Sequence, residues 1–229
     1  MNNIKVLIIL CLVLCVPSVG FSEVRKTYYE NGALREEVTL KKGKLEGLGK
    51  RYYESGSLKE EVTLKKGKLE GLGKRYYESG ALREEATYKK GKLEGLYREY
   101  YESGALKVEG TYKKDKLKGP YKEYYENKKL KAESTFKNGK QEGPCKRYFE
   151  SGVVLAEETY KKGKLKGLFK IYYKSGALLG EAYFKNGEMD GQNREYYESG
   201  KLRTDRIFEK NKLINVKGYN EQGKLIKEE

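Results

Sequence analysis

The chain has 229 residues, 49 Lys and Arg against 34 Asp and Glu, a formal charge of +15, and neither His nor Trp. Without His there is no imidazole base, no Ser-His-Asp triad and no imidazole metal ligand, and the sequence holds no P-loop glycine pattern and no paired Cys ligands. Charged residues make up 36% of the chain, which leans toward disorder, but 12% aromatic content and evenly spaced Tyr and Gly point to a folded repeat protein.

The first 22 residues read as a secretory signal peptide. Lys5 supplies the positive start, Val6 to Val16 is an unbroken apolar run, and Pro17 ends it. A run of 11 residues suits a signal-peptide core and is too short to span a bilayer. Gly20 and Ser22 place small residues at −3 and −1 of a cut before Glu23. Export to the periplasm, the cell surface or the medium is therefore expected, with an uncleaved N-terminal anchor as the plainer alternative. A lipoprotein cut before Cys11 or Cys15 would need a small residue where Leu10 and Leu14 stand. Cleavage leaves a charge of +14 and one cysteine, Cys145, so no internal disulfide. Cys145 occupies a column that elsewhere holds Gly49, Tyr97 or Phe169, which fits a small apolar filler better than a reactive thiol.

Residues 23–229 form one array without a linker. Tyr28, Tyr52, Tyr76, Tyr100, Tyr124, Tyr148, Tyr172 and Tyr196 recur every 24 residues, and a partial copy begins at Tyr219. Each unit contains aromatic-x-x-Gly-x-Leu twice, as Tyr77 to Leu82 and Tyr88 to Leu93. Short loops ending in Gly between β-formers signal tight hairpins, because Gly accepts positive φ. The intervening residues alternate with period two and show no helical period. Each unit is thus expected to be two antiparallel strands and two turns, with Asp115 and Asn211 tolerated at a Gly position and Lys128 the poor fit.

If Ser79-Gly80 is a two-residue loop, Tyr77 faces Leu82. Counting outward then pairs Lys50 with Glu61, Lys74 with Glu85, Arg98 with Glu109, Lys122 with Glu133, Lys146 with Glu157, Lys170 with Glu181 and Arg194 with Asp205, base against acid each time. One face collects Tyr77, Leu82, Ala86, Tyr88 and Leu93, together with Arg75 and Glu84, and Gly71 and Gly95 are expected to leave room on it for rings. The other face holds Tyr76, Arg83, Glu85, Thr87, Glu94 and Arg98. Two strands per unit give about 10 Å per repeat and a single-layer all-β ribbon roughly 75–80 Å long, held by nearest-neighbour stacking.

The unit resembles the MORN repeat, and more closely its bacterial variant, on the strength of Tyr28 to Leu34, Phe136 to Lys140 and Phe184 to Gly187. The resemblance covers residues 28–229 in eight phased copies. It implies an elongated antiparallel β-meander and a non-enzymatic interaction scaffold, with membrane and phospholipid binding also proposed for such proteins. Some bacterial relatives are labelled antitoxins, so a cytosolic protein that neutralises a toxin by direct binding is the alternative; the leader speaks against it. A choline-binding wall module is disfavoured by the absence of Trp.

Hairpin geometry sends the two turn types to opposite edges. One edge collects Lys41, Lys42, Lys44, Lys65, Lys66, Lys68, Lys89, Lys90, Lys92, Lys113, Lys114, Lys116, Lys137, Lys140, Lys161, Lys162 and Lys164; the other carries Glu30, Glu54, Glu78, Glu102, Glu126, Glu150 and Glu198. The cationic strip suits anionic polymers or lipid head groups, or simply solubilises the ribbon. Nucleic acid is disfavoured for an exported chain. A second candidate is the apolar stripe of Tyr53, Leu58, Tyr77, Leu82, Tyr88, Leu93, Tyr101, Leu106, Tyr112 and Leu117, open to a protein partner or to self-association, unless the rings cover one another. A Glu repeated seven times, from Glu37 to Glu181, is structural rather than catalytic. No catalytic residue, metal, cofactor or small-molecule substrate is expected. The irregular last full unit, with Thr204, Asp205, Arg206, Ile207 and Asn215, reads as a terminal cap.

Overall fold

A computed structural model describes residues 22–229. The expected signal peptide lies outside the described residues except for Ser22, which opens the first strand, Ser22–Tyr28. The described chain is all-β. Its strands form one open antiparallel sheet in which neighbours along the chain are hydrogen-bonded in order. A typical unit contributes Leu82–Lys89 and Lys92–Tyr100. In two units the second strand is interrupted, as Lys68–Leu69 then Gly71–Tyr76 and as Lys164–Leu165 then Gly167–Tyr172.

The Lys-bearing turns are two-residue hairpins. Lys89 pairs with Lys92 around Lys90 at φ +53 and Gly91 at φ +80, two consecutive positive φ values as a primed turn requires. The Tyr-bearing turns differ from the two-residue expectation. Tyr77 N–H donates to the Ala81 carbonyl (2.8 Å) and Gly80 N–H to the Tyr77 carbonyl (2.9 Å), closing a three-residue loop with Gly80 at φ +87. Tyr76, not Tyr77, therefore faces Leu82, and a bulge at Arg83 restores the register, so that Arg75 meets Glu84 and Lys74 meets Glu85. The longer loop and the bulge offset one another. All seven base–acid pairs consequently stand opposite each other. Four of them close to ion-pair distance: Lys50–Glu61 3.7 Å, Arg98–Glu109 3.8 Å, Lys146–Glu157 2.9 Å and Arg194–Asp205 3.8 Å.

A second irregularity recurs where Thr87 lies opposite Glu94, Gly95 and Leu96. The glycine of this bulge has positive φ wherever it occurs, from Gly47 to Gly191, with +82 at Gly71 and +122 at Gly95, so it is required by the backbone and not by neighbouring rings. Nothing lies within 4 Å of a Cβ built on Gly71. Room for rings is made instead at Gly73 and Gly110, where a Cβ would sit 3.0 Å from the Tyr88 and Tyr121 rings.

At the centre of the apolar face a row across the strands holds the small residues Val38, Ala86, Cys145 and Ala182, all nearly buried, and the equally buried Ala156 stands in the neighbouring row, opposite Arg147 and Ile171. Rings in the same row pack edge to face on rings of the next strand, as in Tyr97–Tyr112 at 5.6 Å and Tyr121–Phe136 at 5.5 Å. Among the described residues no large side chain is fully buried, as expected when each unit packs only on its neighbours. Arg75 and Glu84 fit this face because they are links in a charged ladder. Arg51 bridges Glu36 (3.0 Å) and Glu60 (3.3 Å), and Arg75 bridges Glu60 (3.0 Å) and Glu84 (3.5 Å).

Candidate binding edge

Each Lys turn after the first is anchored to the preceding unit by its backbone N–H groups. Gly91 N–H donates to the Leu69 carbonyl (2.8 Å), and Lys90 N–H donates to a Glu70 carboxylate oxygen (2.8 Å). Glu46, Glu94 and Glu142 hold Lys66, Lys114 and Lys162 in the same way. The acids nearest the Lys tips are thus engaged with main-chain N–H groups. The tips also touch in series: a Cβ on Gly91 would lie 3.7 Å from the Lys68 Cβ, and one on Gly163 would lie 3.7 Å from the Lys140 Cβ. Gly139 and Gly187 approach Lys116 and Lys164 in the same way, whereas nothing lies within 4 Å of a Cβ on Gly67.

Every edge lysine named from the sequence is exposed. None of them lies in an ion pair among the described residues. Across six successive turns Lys faces Lys: Lys41–Lys44, Lys65–Lys68, Lys89–Lys92, Lys113–Lys116, Lys137–Lys140 and Lys161–Lys164. The pattern then stops. The last two turns set Lys185 against Glu188 and Glu209 against Lys212. Like charges directly opposite in a sheet destabilise it, so the six rungs carry a cost that the last two avoid. Reading the turns separately hides this opposition; pairing the flanking lysines across each turn reveals it.

The ten residues of the candidate apolar stripe are all half-buried. Tyr53, Tyr77 and Tyr101 stand at the opposite edge, where each hydroxyl donates to a carbonyl of the next unit, at 2.8, 2.8 and 2.9 Å. A cation lies over each ring: Lys59, Arg83 and Lys107 at 5.0, 5.7 and 5.7 Å. Leu58, Leu82 and Leu106 face the first Tyr of each pair, whereas Tyr88 faces Leu93 and Tyr112 faces Leu117 near the Lys edge. A row of exposed leucines lies elsewhere in the ribbon's interior units, at Leu48, Leu72 and Leu96, 41–49% exposed. They stand opposite Thr63, Thr87 and Thr111 on the other face. The bulge glycine, which alters the alternation between Leu93 and Leu96, was the available signal for this row.

Cys145 is buried, and burial pushes its thiol up to about 11. Among the described residues no group of three Cys, Asp or Glu side chains converges as a metal would require. The depressions beside Tyr29 and beside Cys145 are open to solvent.

The sequence matches the MORN repeat variant family in eight consecutive segments: residues 24–42, 45–66, 69–90, 93–114, 117–138, 141–162, 165–186 and 189–210. No curated protein matches the chain. The eight segments are spaced like the structural units and occupy most of the described sheet, so the chain belongs to the MORN repeat variant family.

Proposed function

We propose that the protein is an exported, non-enzymatic scaffold whose Lys edge binds an anionic surface, with anionic phospholipid as the first ligand class. MORN repeats generally build scaffolds for protein or membrane-lipid binding. The observation that carries the finer reading is the set of six Lys–Lys rungs. A merely solubilising edge could alternate signs, as the last two turns do. A partner that supplies negative charge would relieve the repulsion. Each lysine near an anionic membrane contributes about 1 kcal/mol, so six engaged side chains give on the order of tens of micromolar affinity. Export is supported by the N-terminal leader.

The test is co-sedimentation of the protein with vesicles of phosphatidylglycerol and phosphatidylcholine, against phosphatidylcholine alone. Binding to the anionic vesicles at about 0.05 M salt that is lost at about 0.5 M is the expected result. Equal binding to both vesicle types, or none at low salt, would overturn it. A second reading, a protein partner, is favoured by the exposed row of Leu48, Leu72 and Leu96 beside the strip. An antitoxin-like role would be one case of it.

A further inference from the structure

Among the described residues the two outermost strands are each paired on one side only. Ser22–Tyr28 pairs with Leu34–Lys41, and Leu225–Glu228 pairs with Lys212–Tyr219. They are of complementary type. Ser22–Tyr28 ends in the first Tyr of a unit, like Lys92–Tyr100, and Leu225–Glu228 starts at the Leu after a Tyr turn, like Leu82–Lys89. Inside the sheet these two types meet across every Lys turn, with Glu85 opposite Arg98 and Ala86 opposite Tyr97. Laid in that register, Glu228 meets Lys26 of a second copy, and Glu229 meets its Arg25. Both contacts join acid to base.

Each end also carries half of a motif that the interior completes. Arg98 is shared between Glu85 (3.3 Å) and Glu109 (3.8 Å), and Arg194 between Glu181 (3.7 Å) and Asp205 (3.8 Å). At the first strand Lys26 has, among the described residues, only its forward acid, Glu37, at 3.7 Å. At the last strand Glu228 has only its backward base, Lys217, at 2.7 Å. Val24, Tyr28, Leu225 and Ile226 are 53, 58, 43 and 65% exposed, so both ends leave apolar side chains uncovered. Charges on an edge ordinarily repel further strands; here the signs fit.

We propose that copies add head to tail, the strand Leu225–Glu228 of one pairing with Ser22–Tyr28 of the next in the register of the internal Lys turns. The contact is heterologous and does not close, so it builds linear oligomers rather than a fixed dimer. The shared ladder is short, and association is therefore weak and concentration-dependent.

Two experiments on the full chain test this. Antiparallel partners lie about 4.5–5.5 Å apart at Cα, within disulfide reach. A mixture of Lys26→Cys and Glu228→Cys chains, mildly oxidised, is expected to give the 26–228 disulfide, and a chain carrying both changes is expected to give a ladder of multimers. Linking 26 to 26 or 228 to 228 equally well, or no linking, would overturn the proposal. In sedimentation from about 10 µM to about 1 mM, the unmodified chain is expected to grow past the dimer. The Glu228→Lys, Glu229→Lys chain should stay monomeric, and adding the Arg25→Glu, Lys26→Glu chain should restore pairing. Growth that stops at the dimer, or that survives the charge reversal, would contradict it.

Discussion

At the residue scale, the structure explains which deviations from the repeat are tolerated and at what cost. Lys128 replaces the glycine of a Tyr turn and adopts φ +67, and its N–H still donates to the Tyr125 carbonyl at 2.9 Å. Asn127 supports the turn by accepting the Lys129 N–H at 3.0 Å. A left-handed conformation costs a residue with a Cβ about 1 kcal/mol, so Lys128→Gly is expected to raise stability by about that much, read from the denaturant midpoint. Cys145 was legible as a filler because its column holds other apolar or small residues, and the structure buries it. With the thiol pushed up to about 11, it should resist a thiol-labelling reagent at about pH 8 in the folded protein and react at once after unfolding. Rapid labelling of the folded chain would contradict the buried placement. Less legible were the glycines. Gly73 and Gly95 look alike in sequence, yet one clears space for the Tyr88 ring and the other provides φ +122.

At the scale of the element, the bonds that matter run between units. The second Tyr of each pair donates its hydroxyl to the first Tyr of the next unit, as Tyr77 does to the Tyr100 carbonyl and Tyr125 to the Tyr148 carbonyl. Phe149 occupies this position and has no hydroxyl to donate. Phe149→Tyr is therefore expected to stabilise by about 1 kcal/mol and Tyr125→Phe to destabilise by a similar amount, both measured by thermal melting. The first Tyr donates across the sheet to the acid of the preceding unit, as Tyr172 does to Glu157 at 2.9 Å. Hydrogen bonds from Lys146 and Tyr172 hold the Glu157 carboxyl below its ordinary range, and one from Arg206 does the same for Glu195. A depressed folded pKa gives stability that is present above the unfolded value and lost as pH falls through the folded one. The melting temperature is thus expected to drop below about pH 4, and a Glu157→Gln, Glu195→Gln chain should show a shallower drop. The strand pairing behind these bonds was legible because the three-residue Tyr loop and the bulge at Arg83 cancel in the count. The loop itself was not, since Glu-Ser-Gly fits either hairpin geometry.

At the scale of the whole molecule, period and composition carry the architecture. A 24-residue repeat of two alternating segments leaves little besides a meander. What the pattern does not carry is which apolar residues stay uncovered, because mutual burial of Tyr and Leu depends on the bulges that tilt them. Cost and benefit separate most clearly at the Lys edge. Its tips set like charges opposite each other across six turns, and the proposed anionic ligand would give that repulsion a use. The decisive measurement takes one chain, with Lys44→Glu, Lys68→Glu, Lys92→Glu and Lys116→Glu, through two assays. Each change converts a Lys–Lys rung into the Lys–Glu kind that Lys185 and Glu188 already form. Thermal melting should show a chain more stable by about 0.2–1 kcal/mol per rung, while binding to anionic vesicles at low salt should fall at least tenfold. A variant that is stabilised yet binds as well as the parent would show that the strip is not the binding edge.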